Sequence, residues 1–329
     1  MQQGFFALLK RRIGFFILMG LLVAESPFSV REKKASNALT HYIMGSLYSR
    51  QGLVDKAIEE YKKAISLDAE SAALHARLGI EYIKQSGNLD KAREEFKAAV
   101  QLNPESIEAH LFLALIYASQ GEDQLANQEY EKTLLQAQKL DPQNIDIYKE
   151  LGAVYLSQKK LDEAINIYKT ILNITSQDAE AHYYLGSIYF DQKKFKEAII
   201  EFKAAIKMKP DYAEALNSLA YLYAEQGINL DEAEVLVKRA LEVEPDNAYY
   251  IDTLGWIYFK KRKIDEAIKQ LERAQGLMPD PVIADHLGDA YFKKGKIKEA
   301  REKWEESLTL DPKQEAVKKK LETKGLEKR

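Results

Sequence analysis

The chain is predicted to be all-α: an array of eight helix–turn–helix units closed by a C-terminal capping helix. Three observations predict this. A set of landmark residues recurs eight times, with spacings of 33 to 38 residues. The composition suits helices, with only 16 Gly and 8 Pro among 329 residues and many Ala, Leu, Glu and Lys. Proline returns at one phase of the repeat, where a helix interior would lose roughly 3 kcal/mol to it, so it marks the boundaries between units.

The N-terminus stands apart from this pattern. Lys10, Arg11 and Arg12 precede Ile13 to Ala24, twelve uncharged and mostly apolar residues, and Glu25 ends the run. Twelve helical residues rise roughly 18 Å, short of a hydrocarbon layer about 30 Å thick. A basic start before a short apolar stretch is the pattern of a secretory signal peptide. Residues 1–24 are therefore expected to be a signal peptide or a short membrane anchor. Leu22 is larger than the small residue wanted near a cut after Ala24, which keeps the anchor open. Either form puts the rest of the chain outside the cytoplasm, periplasmic or anchored in the inner membrane. Cysteine is absent, so lipid attachment after the apolar run, disulfides and thiol chemistry are excluded. Cleavage would remove three positive charges and no negative ones, taking the net charge from −3 to −6. Residues 25–37 read as a polar linker.

The landmarks align on Tyr48, Tyr82, Tyr117, Tyr155, Tyr189, Tyr223, Tyr258 and Tyr291. Three residues before each stands Gly45, Gly79, Ala114, Gly152, Gly186, Ala220, Gly255 or Gly288. Nine or ten residues after each stands Ala57, Ala92, Ala126, Ala164, Ala198, Ala233, Ala267 or Ala300. Four further on lies Tyr61, Phe96, Tyr130, Tyr168, Phe202, Val237, Leu271 or Trp304. Pro104, Pro142, Pro210, Pro245, Pro279 and Pro312 close six units. A helix-interior glycine costs about 0.5–1 kcal/mol relative to alanine, so its recurrence implies close approach of a partner helix. Asp55, Asp90, Asp162, Asp231 and Asp265 lie where they favour the positive end of each second helix. Neither helix can bury its apolar face alone; stacking buries it against the neighbouring units.

This order of Gly, Tyr, Ala, large apolar, Ala and Pro resembles the tetratricopeptide repeat family. The resemblance covers Ala38 to about Pro312, and implies a right-handed superhelical solenoid that binds proteins. The units are 38–71, 72–106, 107–144, 145–178, 179–212, 213–247, 248–280 and 281–313. Residues 314–329 read as a polar capping helix and tail, with Val317 and Leu321 on its inner side. The second and sixth units have one extra residue between their helices, near Gly87-Asn88 and Gly227-Ile228-Asn229. The third has four extra before Pro142, about one helical turn, expected to lengthen a helix or loop and to bend the array there.

Chemistry is scarce. His41, His75, His110 and His182 occupy one position of their units, where Tyr148, Leu216, Ile251 and Ala284 stand in the others, and read as packing residues. His286, beside Asp285 and Asp289, is too little for a metal site. No phosphate loop, GxSxG or HExxH occurs. No catalytic residues, cofactor or metal are expected, and the chain reads as a non-enzyme. The near-balance of 48 basic and 51 acidic residues argues against nucleic acid as a partner. Asn173-Ile174-Thr175 fits a glycosylation acceptor, relevant only in a eukaryotic secretory pathway.

By the family resemblance, partner contacts come from the second, fifth, ninth and twelfth residues of each unit. In the back half these include Tyr183, Ser187, Phe190, Asn217, Tyr221, Asp252, Trp256, Phe259, Asp285, Asp289 and Phe292, with Glu180 and Glu214 at the mouth. Aromatics favour binding hot spots, and the carboxylates favour a basic or lysine-containing protein or peptide. The front half offers a plainer stripe: Leu39, Tyr42, Ala73, Ala76, Ile80, Leu111 and Leu115. The family's clamp for chaperone carboxylates is absent, because Tyr42, Ser46, Ala76 and Ile80 stand at its Lys and Asn places. The expected role is a protein–protein scaffold or adaptor in a bacterial cell-envelope assembly. The alternative is an accessory module positioning a peptide or glycan for a separate envelope enzyme. The oligomeric state and the partner's identity are open at this level.

Overall fold

The computed structural model describes residues 32–85 and 88–324. The expected signal peptide or anchor, Gly87 of the second-unit turn and residues 325–329 lie outside them. The described residues contain seventeen helices and no strand. None of these helices is long and apolar enough to cross a membrane. The chain forms two compact units, Met1–Ile167 and Tyr168–Arg329.

In the first unit lie α1 (Glu32–Arg50), α2 (Val54–Leu67), α3 (Ala72–Lys84), α4 (Leu89–Leu102), α5 (Ile107–Ser119), α6 (Asp123–Leu140) and α7 (Ile145–Ser157). The division falls inside α8 (Leu161–Ile174), not after the third repeat. The second unit continues with α9 (Ala179–Asp191), α10 (Phe195–Met208), α11 (Ala213–Gln226), α12 (Leu230–Val243), α13 (Ala248–Lys260), α14 (Ile264–Leu277), α15 (Pro281–Lys294), α16 (Ile297–Leu310) and α17 (Glu315–Lys324). Within each unit, helices pack first as sequential pairs such as α1/α2 and α15/α16, then each pair on the next.

The pairing is closed by the contact the recurring glycines announced, with one refinement. A Cβ on Gly288 would stand 2.5 Å from Trp304 Cδ1 and Nε1, and one on Gly45 would stand 2.8 Å from Tyr61 Cε1. What presses on the glycine is thus the large side chain of the second helix, lying flat over the first. Ala57, Ala92, Ala198 and Ala300 are fully buried beside these contacts. The turns between paired helices are equally regular. The amide of Leu53 donates to Tyr48 O, that of Lys194 to Tyr189 O and that of Lys296 to Tyr291 O, each five residues back. Such a bond ends a helix through a residue of positive φ. That residue is Gly52 or Gly295 in two of these turns and Lys193 in the third. A lysine after the turn then covers the landmark tyrosine ring, as Lys194 does Tyr189 at 5.8 Å and Lys296 does Tyr291 at 5.1 Å.

The irregularities have local solutions. The four extra residues of the third unit extend α6 to 18 residues, against 14 in α2 and α4. The longer turn of the sixth unit places both Gly227 and Asn229 in the left-handed region. α1 begins at Glu32, so the last six residues of the expected linker are helical. Asp55, Asp90, Asp162, Asp231 and Asp265 sit within the first turn of their helices rather than before it. α17 packs Val317, which is 1% exposed, and Leu321 onto the last pair.

Gly288→Ala is expected to destabilise the chain by about 1–3 kcal/mol, because Trp304 has no room to retreat. Gly276, near the end of α14, has nothing within 4 Å of an added Cβ. Gly276→Ala is therefore expected to stabilise by about 0.5–1 kcal/mol. Urea unfolding of the two variants measures both, and equal effects would refute the contact argument.

Candidate functional site

The groove residues named from the sequence lie on α9, α11, α13 and α15, the first helices of the last four pairs. Side-chain caps define where three of these helices start. Asp178 accepts from the amide of Ala181, Asn247 from those of Tyr249 and Tyr250, and Asp280 from those of Val282 and Ile283. Fifth and ninth positions then share one face, one turn apart.

The structure joins part of this set into an aromatic row. Phe190 on α9 meets Tyr221 on α11 edge-on at 6.0 Å and Phe195 at 5.9 Å. Tyr183 packs against Tyr212 at 5.2 Å and Phe202 at 6.1 Å. Trp256 and Phe259 on α13 are parallel at 4.8 Å. Tyr183, Ser187, Phe190, Asn217, Tyr221, Phe259 and Phe292 are half-buried. The Asn217 Oδ1 is buried with no hydrogen-bond partner among the described residues. Phe292 packs on Trp304 at 5.6 Å. Glu214 is exposed and Glu180 half-buried at the margin.

Four of the residues have internal employment instead. Trp256 is 7% exposed and Asp252 5%, so both support the face from below. The Trp256 Nε1–H donates to Glu225 Oε1 at 2.6 Å, and its ring stacks on His286 at 4.0 Å. His286 Nδ1 donates to both Asp252 oxygens, at 2.9 and 3.0 Å. Lys320 of α17 donates to Asp285 at 2.6 Å and Asp289 at 2.8 Å. The basic group expected of a partner is thus supplied to this pair by the capping helix. Burial pushes the Asp285 carboxyl above its ordinary range, and Lys320 opposes the shift. Burial raises the Tyr221 hydroxyl well above 10, and Glu225, Asp252 and Asp285 add to it. The face around Tyr221 therefore carries a negative field.

Sequence reasoning missed Tyr249 and Val282, exposed at 53% and 44%. They take the second place on α13 and α15, where α9 and α11 carry Glu180 and Glu214; that change from charge to apolar was readable. The front stripe is mostly core: Ala76, Leu111 and Leu115 are buried, and only Leu39 and Ala73 of its members are exposed.

The four aligned histidines do more than fill space. His41 reaches Glu60 at 2.6 Å, His75 reaches Glu95 at 2.7 Å, His110 reaches Glu129 at 2.5 Å and His182 reaches Glu201 at 2.6 Å, each through Nδ1. Each pair clasps the first helix of a repeat to its second. The signal lay in the sequence. The residue before the large apolar landmark is Glu only in the four units that carry the histidine; the others have Ile167, Leu236, Gln270 and Lys303. Among the described residues no three His, Asp or Glu side chains converge as a metal site.

Lys320→Ala leaves Asp285 and Asp289 without their shared cation. It is expected to cost roughly 1–2 kcal/mol and to speed hydrogen exchange in α17 and α15, with α9 unchanged. Unaltered exchange in α17 would show that the ion pairs do not hold the cap.

Tetratricopeptide repeat models match residues 45–86, 82–121, 154–193 and 186–227, and a tetratricopeptide repeat-like domain model matches 229–325. No curated protein matches in sequence. Among solved structures, a tetratricopeptide repeat protein from Parabacteroides merdae is similar at 20% identity and a TM-score of 0.56, covering 76% of this chain and 97% of that one. A chain of the APC/C Cut9–Hcn1 hetero-tetramer gives 17% and 0.57, over 87% of this chain and 54% of that one. PilW, described as a widely conserved type IV pilus biogenesis factor, gives 19% and 0.53, over 65% and 98%. These structures share the paired-helix fold. With repeat models matched along most of its length and the same helix pairs in its structure, the chain belongs to the tetratricopeptide repeat family, whose arrays generally mediate protein–protein interaction.

Proposed function

We propose that the chain is a non-enzymatic scaffold that holds a protein segment against the first-helix face of its second unit. The observation that carries this reading is the half-buried aromatic row of Tyr183, Phe190, Tyr221 and Phe259 on three successive first helices. Rigid aromatics give large contact area for little lost freedom. Glu180, Glu214 and the field around Tyr221 favour a basic segment; Asp285 and Asp289 contribute less, because Lys320 already neutralises them.

The partner belongs, in this proposal, to an assembly of the bacterial cell envelope. The support is the basic cluster and apolar run of residues 10–24, which reads as an export signal or anchor with the repeats outside.

A photo-crosslinking residue placed at Tyr221 or Phe190 in the native host is expected to trap one partner. The same residue at Ile200, 64% exposed on α10, is not. With the trapped partner in hand, Tyr221→Ala and Phe259→Ala are each expected to weaken binding by about tenfold or more. Equal crosslinking from Ile200 would place the contact elsewhere, and capture of a glycan rather than a protein would favour an accessory role beside an enzyme. Fractionation with N-terminal sequencing tests the location: a cytosolic chain beginning at Met1 overturns it.

A further inference from the structure

Every histidine among the described residues is clasped to a carboxylate across a helix–helix contact. Four clasps join the two helices of one repeat, and the fifth joins α15 to α13 of the preceding repeat. A carboxylate only accepts, so each Nδ1 must carry a proton. His110 goes further: its Nε2 lies 2.9 Å from the carbonyl oxygen of Pro104, which also only accepts. His75 repeats the arrangement more loosely, its Nε2 facing Ala69 O at 3.4 Å. In the fourth repeat Tyr148, whose single hydroxyl donates to Pro142 O at 3.0 Å, makes the carbonyl bond without a charge.

We infer that the His286–Asp252 clasp between α13 and α15 makes the end of the array a pH-sensitive device that is tightest when the His286 ring is protonated and loosens as the medium turns from mildly acidic to mildly alkaline.

The charges around the two most buried rings support this direction. Facing His110 from α6 are Glu129 and Lys132, the latter held to Glu129 at 2.8 Å. The turn before α5 pairs Glu105 with Lys139 at 3.2 Å. On α4, Glu94 and Lys97 pair with each other and Glu95 is taken by His75. On α3, Arg77 reaches Glu108 at 3.8 Å. Facing His286 are Asp252 from α13, Glu225 from α11 and its own neighbour Asp285. Lys320 of α17 answers Asp285 and Asp289, while Lys260 lies over the Trp256 ring at 4.6 Å. On α14 and α16, Glu272 is taken by Tyr291 and Lys303 by Glu306. Carboxylates thus outnumber cations around His286. Burial works against its charge, but Asp252, Asp285 and Glu225 hold its pKa above the ordinary histidine value. On the partner side, the His41 hydrogen bond holds Glu60 below the usual carboxylate range. Glu129 is also lowered: its burial is outweighed by the bonds from His110 and Lys132.

The linkage follows in sign. A group that is easier to protonate when folded stabilises the fold fully below its unfolded pKa, and that contribution is lost as pH rises through the folded value. The depressed carboxylates act at the other edge: their contribution is lost as pH falls below their unfolded values. Between about pH 6 and about pH 8, histidine is the only side-chain class here that ordinarily titrates. Stability should therefore fall across that interval, opposite to an acid-triggered opening.

The test is urea unfolding of the purified full chain at about pH 6 and about pH 8. The unfolding equilibrium constant is expected to be severalfold larger at the higher pH. His286→Gln should remove most of that increase. A constant that is unchanged or smaller at the higher pH overturns the inference, as does an undiminished ratio in the His286→Gln variant. Should the variant fail to fold, the ring nitrogen NMR shifts of the unaltered chain decide. Protons on both nitrogens of His286 at about pH 6 support the device, and a single proton there refutes it.

Discussion

The structure depends on one contact made in five of its helix pairs: a large side chain of the second helix lying over a glycine of the first. In the last pair this is Trp304 on Gly288, in the first Tyr61 on Gly45. The contact fixes how closely the two helices approach and how one is rotated about the other. Once it is made, the remaining apolar faces of the pair point to its neighbours. That is why Leu74, Ile147 and Ile283, at equivalent places in three repeats, are fully buried against what precedes them. It also decides which positions of the first helix stay at the surface, so the groove is a consequence of the core contact.

Polar contacts are layered on this frame. The His–Glu clasps tie first to second helices in four repeats. The His286–Asp252 and Lys320–Asp285 pairs tie successive first helices at the end of the array. In these last two the cation occupies one position and the carboxylate stands one repeat earlier, so α17 continues with a lysine a pattern that α15 began with a histidine. Buried charge of this kind is costly unless paired, and it specifies which helix belongs beside which. The array therefore has apolar contacts that would suit many repeat orders and polar ones that suit this order.

For the groove, the layering separates two kinds of residue that look alike in a sequence. Trp256 and Phe259 stack on each other, yet the first is buried with its nitrogen bonded to Glu225 and the second is half open. Asp252 and Asp285 are both fifth-position carboxylates, and both are taken by the next helix along. What stays half-open is a narrower, more aromatic face, with Tyr249 and Val282 exposed at its margin.

The repeat, its helix pairs and the cap were legible in the sequence because they are local. Glycine, proline and the tyrosine phase act within one unit, and Val317 with Leu321 declares an inner face within α17. The added length of α6 followed from residue counting. The His–Glu pairs were legible too, through the coincidence of two positions 19 or 20 residues apart. Only the tertiary structure decided which groove residues remain available. Whether Asp285 faces a partner or Lys320 depends on where a side chain 35 residues away is carried by the packing of α17. Repeat phase gives the direction in which a residue points from its own helix. What the next helix places in front of it is settled only when the stack forms.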